Sequence, residues 1–314
     1  MDMENRRILG IGETVLDIVF KDNRPLAAVP GGSTFNAMVS LGRTVGVEFP
    51  EVQVIMISRT GNDKVADMVL SFMKENNMDT SLMGRGEGRT TVSIAMLDEN
   101  NNASYEFFRD PSLPPFIAPE IRFRQSDIVV FGSYFAVSAQ TSAEVRSLVA
   151  KAHKAGAVVY YDINFRKSHA SELEKLRPEI MANIALSDIV RGSSEDLEAV
   201  FGSSDASLVY SRDIASLCPN FICTRGKEAV ETFSPGVYCR FPVSRTVKVV
   251  STIGAGDNFN AGTVYALIRD GIGRDRLHPG LGEAEWKRIA EPALMFSAEV
   301  CGSLFNYVPK GFKV

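Results

Sequence analysis

The stretch VKVVSTIGAGDNFNAGTVYALIRDG, residues 247–271, joins a β-branched run to a glycine-rich turn and then to a segment of helical period ending near Gly271. The expected unit is a buried strand over VKVVST (247–252), a tight loop and a helix. Gly254 and Gly256 let the backbone pass close to an oxyanion, and the N–H groups of Ala255, Gly256 and Asp257 are expected to point outward from the positive helix end. Such a cradle suits phosphoryl oxygens. Asp257 sits where a carboxylate can take a proton from an attacking hydroxyl, and the helix N-terminus is expected to lower its pKa. As a bare tetrapeptide, GAGD is equally a plain βα turn with Asp257 as N-cap.

Upstream, RRILGIGE, VQVIMIS, DIVVFGS, AVVYYDIN and FICT are short, mostly continuous apolar runs, the mark of strands buried on both faces of a parallel sheet. Helical segments lie between them, with Val65, Val69, Phe72 and Met73 on one apolar stripe and Val145, Leu148, Val149 and Ala152 on another, the second closed by Gly156. The fold class is therefore α/β. Residues 90–99 and 103–108 break this rhythm as two alternating strands joined by Asn100, Asn101 and Asn102, a hairpin. Its apolar residues fall on both faces, Val92, Ile94 and Met96 opposite Ala95 and Leu97, so a lid or a dimer contact is expected to cover it. No repeat or linker divides the chain, and one domain over 1–314 is expected, with lid strands within about 14–30 and 88–110.

Composition excludes several classes. A net charge of −4 with interspersed signs carries no footprint for nucleic acid or an anionic membrane, so small-molecule partners are expected. The N-terminus is charged too early for a signal peptide, and no run approaches ~18 apolar residues, which predicts a cytoplasmic protein. Cys218, Cys223, Cys239 and Cys301 lack paired spacing and read as reduced thiols, and His153, His169 and His278 read as surface residues. Trp286 reads as core. A P-loop G-x-x-x-x-G-K-[ST] is absent, and the G-x-G-x-x-G of a nicotinamide enzyme fails at Val15 after Gly10 and Gly12.

The segment STIGAGDNFNAG resembles the C-terminal signature of the ribokinase-like carbohydrate kinases, the PfkB family, and further segments match in order. Gly31, Gly32 and Asn36 of PGGSTFNAMVSLG resemble the family's paired-glycine motif, and Asp17 matches its substrate-binding aspartate. GNDKVADMVLSFMKENNMD resembles its G-x-D-x-x-G region, with Ala66 where glycine is common. Asp162, Asn164 and Arg166 of DINFR resemble the D-x-N-x-R stretch of the fructokinase and 2-keto-3-deoxygluconate kinase branches, while Thr224 and Gly226 resemble the T-x-G turn beside the nucleotide.

The resemblance implies a three-layer αβα sandwich with a mainly parallel sheet and a small β-strand lid. It implies an ATP-dependent sugar kinase using Mg²⁺, in which Asp257 is the base and Gly254, Ala255 and Gly256 form the anion hole. Asp17, Gly31, Gly32, Asn36, Asn164 and Arg166 would meet the sugar, and Thr224, Gly226, Thr252, Gly254 and Gly256 the nucleotide. Arg109 is open between substrate contact and surface ion pair. Phe296, Ala298, Val300 and Cys301 either flank adenine or pack in the core. Two positions depart from the family. Ser251 replaces the aspartate that serves a potassium site, which argues against K⁺ activation, and the N-x-x-E motif that organises magnesium aligns with Ser193–Asp196, leaving Glu195 and Asp196 as alternatives. Fructose ranks first as acceptor, then 2-keto-3-deoxygluconate, then ribose or a nucleoside. A homodimer through the lid is expected, and a non-catalytic sugar or nucleotide sensor is the reading from another class.

Overall fold

Successive residues of a strand point to opposite faces, and here both faces of the main sheet are apolar. The structure, a computed structural model, describes residues 6–99, 103–243 and 248–314, and only the backbone of Ala103, Lys167 and Ser168. Among the described residues ten strands form that sheet: β1 (Arg7–Ile11), β4 (Gln53–Thr60), β5 (Met78–Asp79), β6 (Met83–Arg85), β9 (Ile128–Gly132), β10 (Val158–Asp162), β11 (Ile189–Ser193), β12 (Asn220–Thr224), β13 (Ala229–Ser234) and β14 (Val237–Pro242). The order is β14-β13-β12-β11-β10-β9-β1-β4-β5, with β6 beside β4, and only the β12–β13 and β13–β14 pairings are antiparallel.

The helices are α1 (Ser33–Glu48), α2 (Lys64–Glu75), α3 (Ser142–Lys154), α4 (Leu173–Ala185), α5 (Ser194–Phe201), the short α6 (Ala206–Val209), α7 (Ala255–Arg269), the short α8 (Arg274–Leu277) and α9 (Glu283–Cys301). Ile8, Val54, Ile128, Val158 and Tyr160 pack with α1, α2, α7 and α9, whereas Leu9, Val129, Phe131, Val159 and Tyr161 pack with α3, α4 and α5. This alternation makes three layers, as expected. Gly156 and Gly271 adopt positive φ just beyond α3 and α7, closing both helices where the sequence places their ends.

Four strands form a second sheet in the order β3-β2-β7-β8: β2 (Val15–Lys21), β3 (Arg24–Gly31), β7 (Val92–Leu97) and β8 (Ala103–Phe108). The expected hairpin is the antiparallel β7–β8 pair, and its turn, Asn100 to Asn102, lies outside the described residues. Pairing sets Asp17, Ser93 and Phe107 side by side across three strands, next to Ala95 and Tyr105. Ser93 and Ala95 are buried, while on the opposite face Met96 and Phe108 are 38% and 51% exposed. Among the described residues the hairpin is thus covered on one face only.

The expected strand over 247–252 is not formed. Val247 lies outside the described residues, and 248–252 run without strand structure, Val249 being 60% exposed. The amides of Val250 and Ser251 bond instead to the carbonyl of Cys301, at 2.7 and 3.2 Å. β-Branched residues favour a pleated, half-buried surface, and none is offered here. Conversely, β11, β13 and β14 were not expected: Arg191 and Gly192 interrupt the apolar run of β11, and β14 buries its residues only in part.

Candidate active site

The parallel strands β1, β4 and β9–β12 end on one side of the sheet, where α/β folds bind ligands, and a cavity of about 640 Å³ opens there beneath the four-stranded sheet. Its floor is the start of α7. Gly254, at φ 74°, caps the helix in the left-handed conformation that a side chain would strain, and a Cβ there would meet the carbonyl of Asn306 at 2.9 Å. The expected three free amides become two. Ala255 N–H reaches back to the carbonyl of Thr252 at 3.3 Å, closing the turn, which leaves Gly256 and Asp257 as first-turn donors without an intrahelical partner.

Asp257 is not the helix cap. Ser33 donates its hydroxyl to Oδ1 at 2.6 Å and Asn36 its amide to Oδ2 at 2.9 Å, both from α1. The expected lowering of its pKa is overturned: loss of water pushes the carboxyl up to about 6, against the pull of those two bonds and of the more distant Arg166, with Asp162 adding to the rise. A helix end is worth a fraction of what desolvation costs a carboxylate.

Asp17, 4% exposed, points from β2 toward the cavity and accepts from Ser93; burial raises its pKa as well. A Cβ on Gly31 would lie 2.0 Å from the Asp17 carboxylate, so only glycine admits this approach. Gly32, at φ 125°, follows as the cap of α1. The cavity therefore gathers Asp17, Gly32, Asn36, Asn164, Arg166, Arg109, Thr252, Gly254, Gly256 and Asp257 from across the chain. Arg166 lies 4.9 Å over the ring of Tyr105, and Arg109 stacks on Phe107 at 4.7 Å while pairing with Glu13 at 3.0 Å. Arg109 thus makes an ion pair and lines the cavity as well.

Behind Gly256 lies a second polar cluster. Arg191 pairs with Asp162 at 3.0 Å and donates to the Thr224 hydroxyl at 2.6 Å, while Asn260 donates to the other Asp162 oxygen at 2.7 Å. Thr224 and Gly226 stand outside the cavity lining, and Thr224 is linked to it through Arg191, which does line it. Of the two magnesium alternatives, Asp196 is committed to structure: it closes a capping box with Ser193 and accepts from Phe165 N–H at 2.8 Å. Both Glu195 and Asp196 line the cavity. Among the described residues no group of three or more His, Cys, Asp or Glu side chains is arranged to hold a metal ion. Ser251 is buried, its hydroxyl accepting from Ile253 N–H at 3.2 Å.

Other expectations fare differently. Trp286 is core, bonded to Ser234. Phe296 and Val300 are fully buried in the core rather than in the cavity wall, and Phe296 packs on Tyr265 and Phe312. His169, expected at the surface, stacks on Tyr134 at 3.9 Å on the cavity rim, and His153 is half-buried against Arg274. Sequence reading missed Ser33, Tyr105, Tyr134 and Arg191, all in the cavity lining. A polar residue directly between Gly32 and the Asn36 turn was the available signal for Ser33. No described helix is long and apolar enough to cross a membrane.

The profile of the pfkB family carbohydrate kinases matches residues 6–287. Fructokinase from Klebsiella pneumoniae is 28% identical over 278 residues, covering 85% of this chain and 86% of that relative. Among solved structures, fructokinase from Vibrio cholerae O395 in its fructose, ADP and calcium ion bound form superposes with a TM-score of 0.79 at 20% identity, covering 97% of this chain and 95% of the other. Aminoimidazole riboside kinase from Salmonella enterica, complexed with aminoimidazole riboside and an ATP analog, gives 0.79 at 20% identity, covering 96% and 95%.

Proposed function

The chain belongs to the pfkB family of carbohydrate kinases and is an ATP-dependent sugar kinase; from that premise we propose that it phosphorylates fructose, with Asp257 as the catalytic base. One observation carries the assignment of the base. Among the described residues Asp257 is held by two neutral donors with no cation bonded to it; it opens onto the cavity, and burial raises its pKa to about 6, near the range where a base works. As the sugar hydroxyl attacks the γ-phosphorus of ATP, its proton passes to Asp257, the new P–O bond forms, and the bond to the β-phosphate oxygen breaks to release ADP. The Gly256 and Asp257 amides, with the end of α7 behind them, face the charge that develops on the phosphoryl oxygens.

Asp17 accepts from sugar hydroxyls, and Gly31, Gly32, Asn36 and Asn164 border the acceptor, while Thr252, Gly254 and Gly256 receive phosphates. Ala255 contributes by closing the turn. Gly226 borders the nucleotide, and Thr224 acts through Arg191. Glu195 suits a magnesium-bound water, and Mg²⁺ would supply charge neutralisation for the phosphates. With Ser251 in the turn, potassium is not required. The cavity, the lid strands and the rest of the chain act as one domain, and closure over the sugar excludes water that would otherwise hydrolyse ATP.

Arg166 at the rim supports a second acceptor, the acidic 2-keto-3-deoxygluconate, and ribose or a nucleoside stands after it. The open outer face of the lid, with Met96 and Phe108, supports a homodimer through the lid, checked by solution mass before and after Phe108→Asp. The deciding experiment is an ADP-release screen over fructose, 2-keto-3-deoxygluconate, ribose and nucleosides. Preference for another acceptor displaces fructose, and sugar binding without ADP release from any of them leaves a sensor.

A further inference from the structure

Ser33 stands between two groups that the proposed reaction uses. Its hydroxyl oxygen accepts from Asn164 Nδ2 at 2.8 Å and its proton goes to Asp257 Oδ1 at 2.6 Å. Asn164 fills one of the two acceptor positions of Oγ, and the hydroxyl proton is donated to the carboxylate. Asn164 is fixed in turn: its second N–H meets the hydroxyl of Ser133 at 2.7 Å, and both Asn164 (φ 36°) and Ser133 (φ 57°) hold the positive φ that L side chains rarely adopt. Two non-glycine residues in that conformation at one cavity wall mark a geometry imposed by its surroundings.

We propose that Ser33 is a positioning residue for the reaction: relayed from Asn164, its hydroxyl pins one oxygen of Asp257 while Asn36 pins the other, so that the remaining lone pairs face the sugar hydroxyl. The inference rests on the reading of Asp257 as base. With both oxygens tied to α1, rotation of the carboxylate about its last bond is blocked, and the orientation needed for proton transfer exists before the sugar arrives. The same two donors favour the ionised form. The other titratable or charged groups facing Asp257 are Asp162 on β10, Arg166 beyond it, Tyr105 on β8 and, behind Gly256, Arg191 on β11.

The test is the pH profile of kcat for S33A and S33T beside the wild type, at saturating sugar and ATP. For S33A the acid limb moves up by about one pH unit and kcat falls roughly ten-fold, with KM for ATP unchanged, since one charge-assisted bond is lost. S33T, which keeps the hydroxyl, restores both. A purely structural role would lower folded protein without moving the limb, and an S33A limb and kcat equal to wild type overturn the proposal. Should S33A not fold, S33C, a weaker donor of similar size, must give a shift in the same direction, and its absence overturns the proposal equally. D257N runs in parallel: if it is inactive while S33A is unchanged, only the role of Ser33 falls, and if it keeps wild-type turnover, the base assignment falls and Ser33 with it.

Discussion

Two polar clusters flank the first turn of α7, and each is built around a carboxylate at the end of a parallel strand or helix. In front, Asp257 has Ser33 and Asn36; behind, Asp162 has Arg191, with Asn260 and Thr224 completing the set. The difference is the counter-charge. A guanidinium bonded to Asp162 satisfies that buried carboxylate, and Asp162 outweighs the burial that would lower the Arg191 pKa and raises it above its ordinary value. Among the described residues Asp257 has neutral donors only, and burial raises its pKa to about 6. A carboxylate with a bonded cation builds structure; one without it is ready to take a proton.

The largest effect that would break this contrast is in front. Asp257→Asn removes the base and should lower kcat roughly a thousand-fold or more, about 4 kcal/mol of barrier, with ATP affinity nearly constant. Sugar-dependent ADP release measures the first and nucleotide titration the second. Wild-type turnover in this variant would make the two clusters equivalent. Next comes the cluster behind. Arg191→Met strands a buried carboxylate and should cost about 3 kcal/mol of stability in urea unfolding, much of it recovered by adding Asp162→Asn, because the uncompensated charge is the source of the loss. A single variant as stable as wild type would mean that water already reaches Asp162.

The third effect is linkage. Burial raises the Asp257 carboxyl from 3.8 to about 6, so the folded state binds its proton more tightly than the unfolded state does. The resulting stability is fully present below pH 3.8 and is lost as pH rises through about 6. Since the carboxyl is half-buried and opens onto the cavity, the loss should be about 2 kcal/mol. Unfolding of wild type and Asp257→Asn compared at pH 4.5 and 7.5 checks it: the variant gains relative stability at the higher pH. Turnover of the wild type has the opposite dependence, falling below about pH 6 as the base is protonated. An acid limb near 4 would contradict both.

These contrasts were only partly legible in the sequence. The glycine turn and Asp257 announce themselves because an anion site at a helix start needs small residues at fixed spacing. The ordered motifs also brought Asp17 and Asn36 to the same cavity, although Asn36 lies 221 residues from its partner Asp257. What stayed hidden depends on three-dimensional neighbours. Ser33 reads locally as a helix start, and its two partners come from β10's exit loop and α7. Arg191 reads as a break in an apolar run, and only the fold supplies the Asp162 that lets it be buried. The direction of the Asp257 shift was misread for the same reason: a helix end is visible in sequence, and desolvation is not. VKVVST likewise has strand propensity but no strand beside it.

The smallest effect sharpens the boundary between the clusters. Thr224 sits in a segment that resembles a nucleotide-side turn, yet its hydroxyl accepts from Arg191 at 2.6 Å and lies outside the cavity lining. Thr224→Val keeps the shape and removes that one acceptor. Arg191 retains its pairing with Asp162, so no buried charge is left uncompensated, and the loss should be about 1 kcal/mol of stability. Because Asp257 shares no bond with Thr224, the acid limb of kcat should stay near pH 6, and KM for ATP should change less than about three-fold. A ten-fold rise in that KM at unchanged stability would make Thr224 a direct nucleotide ligand, and the rear cluster would then belong to the catalytic cavity.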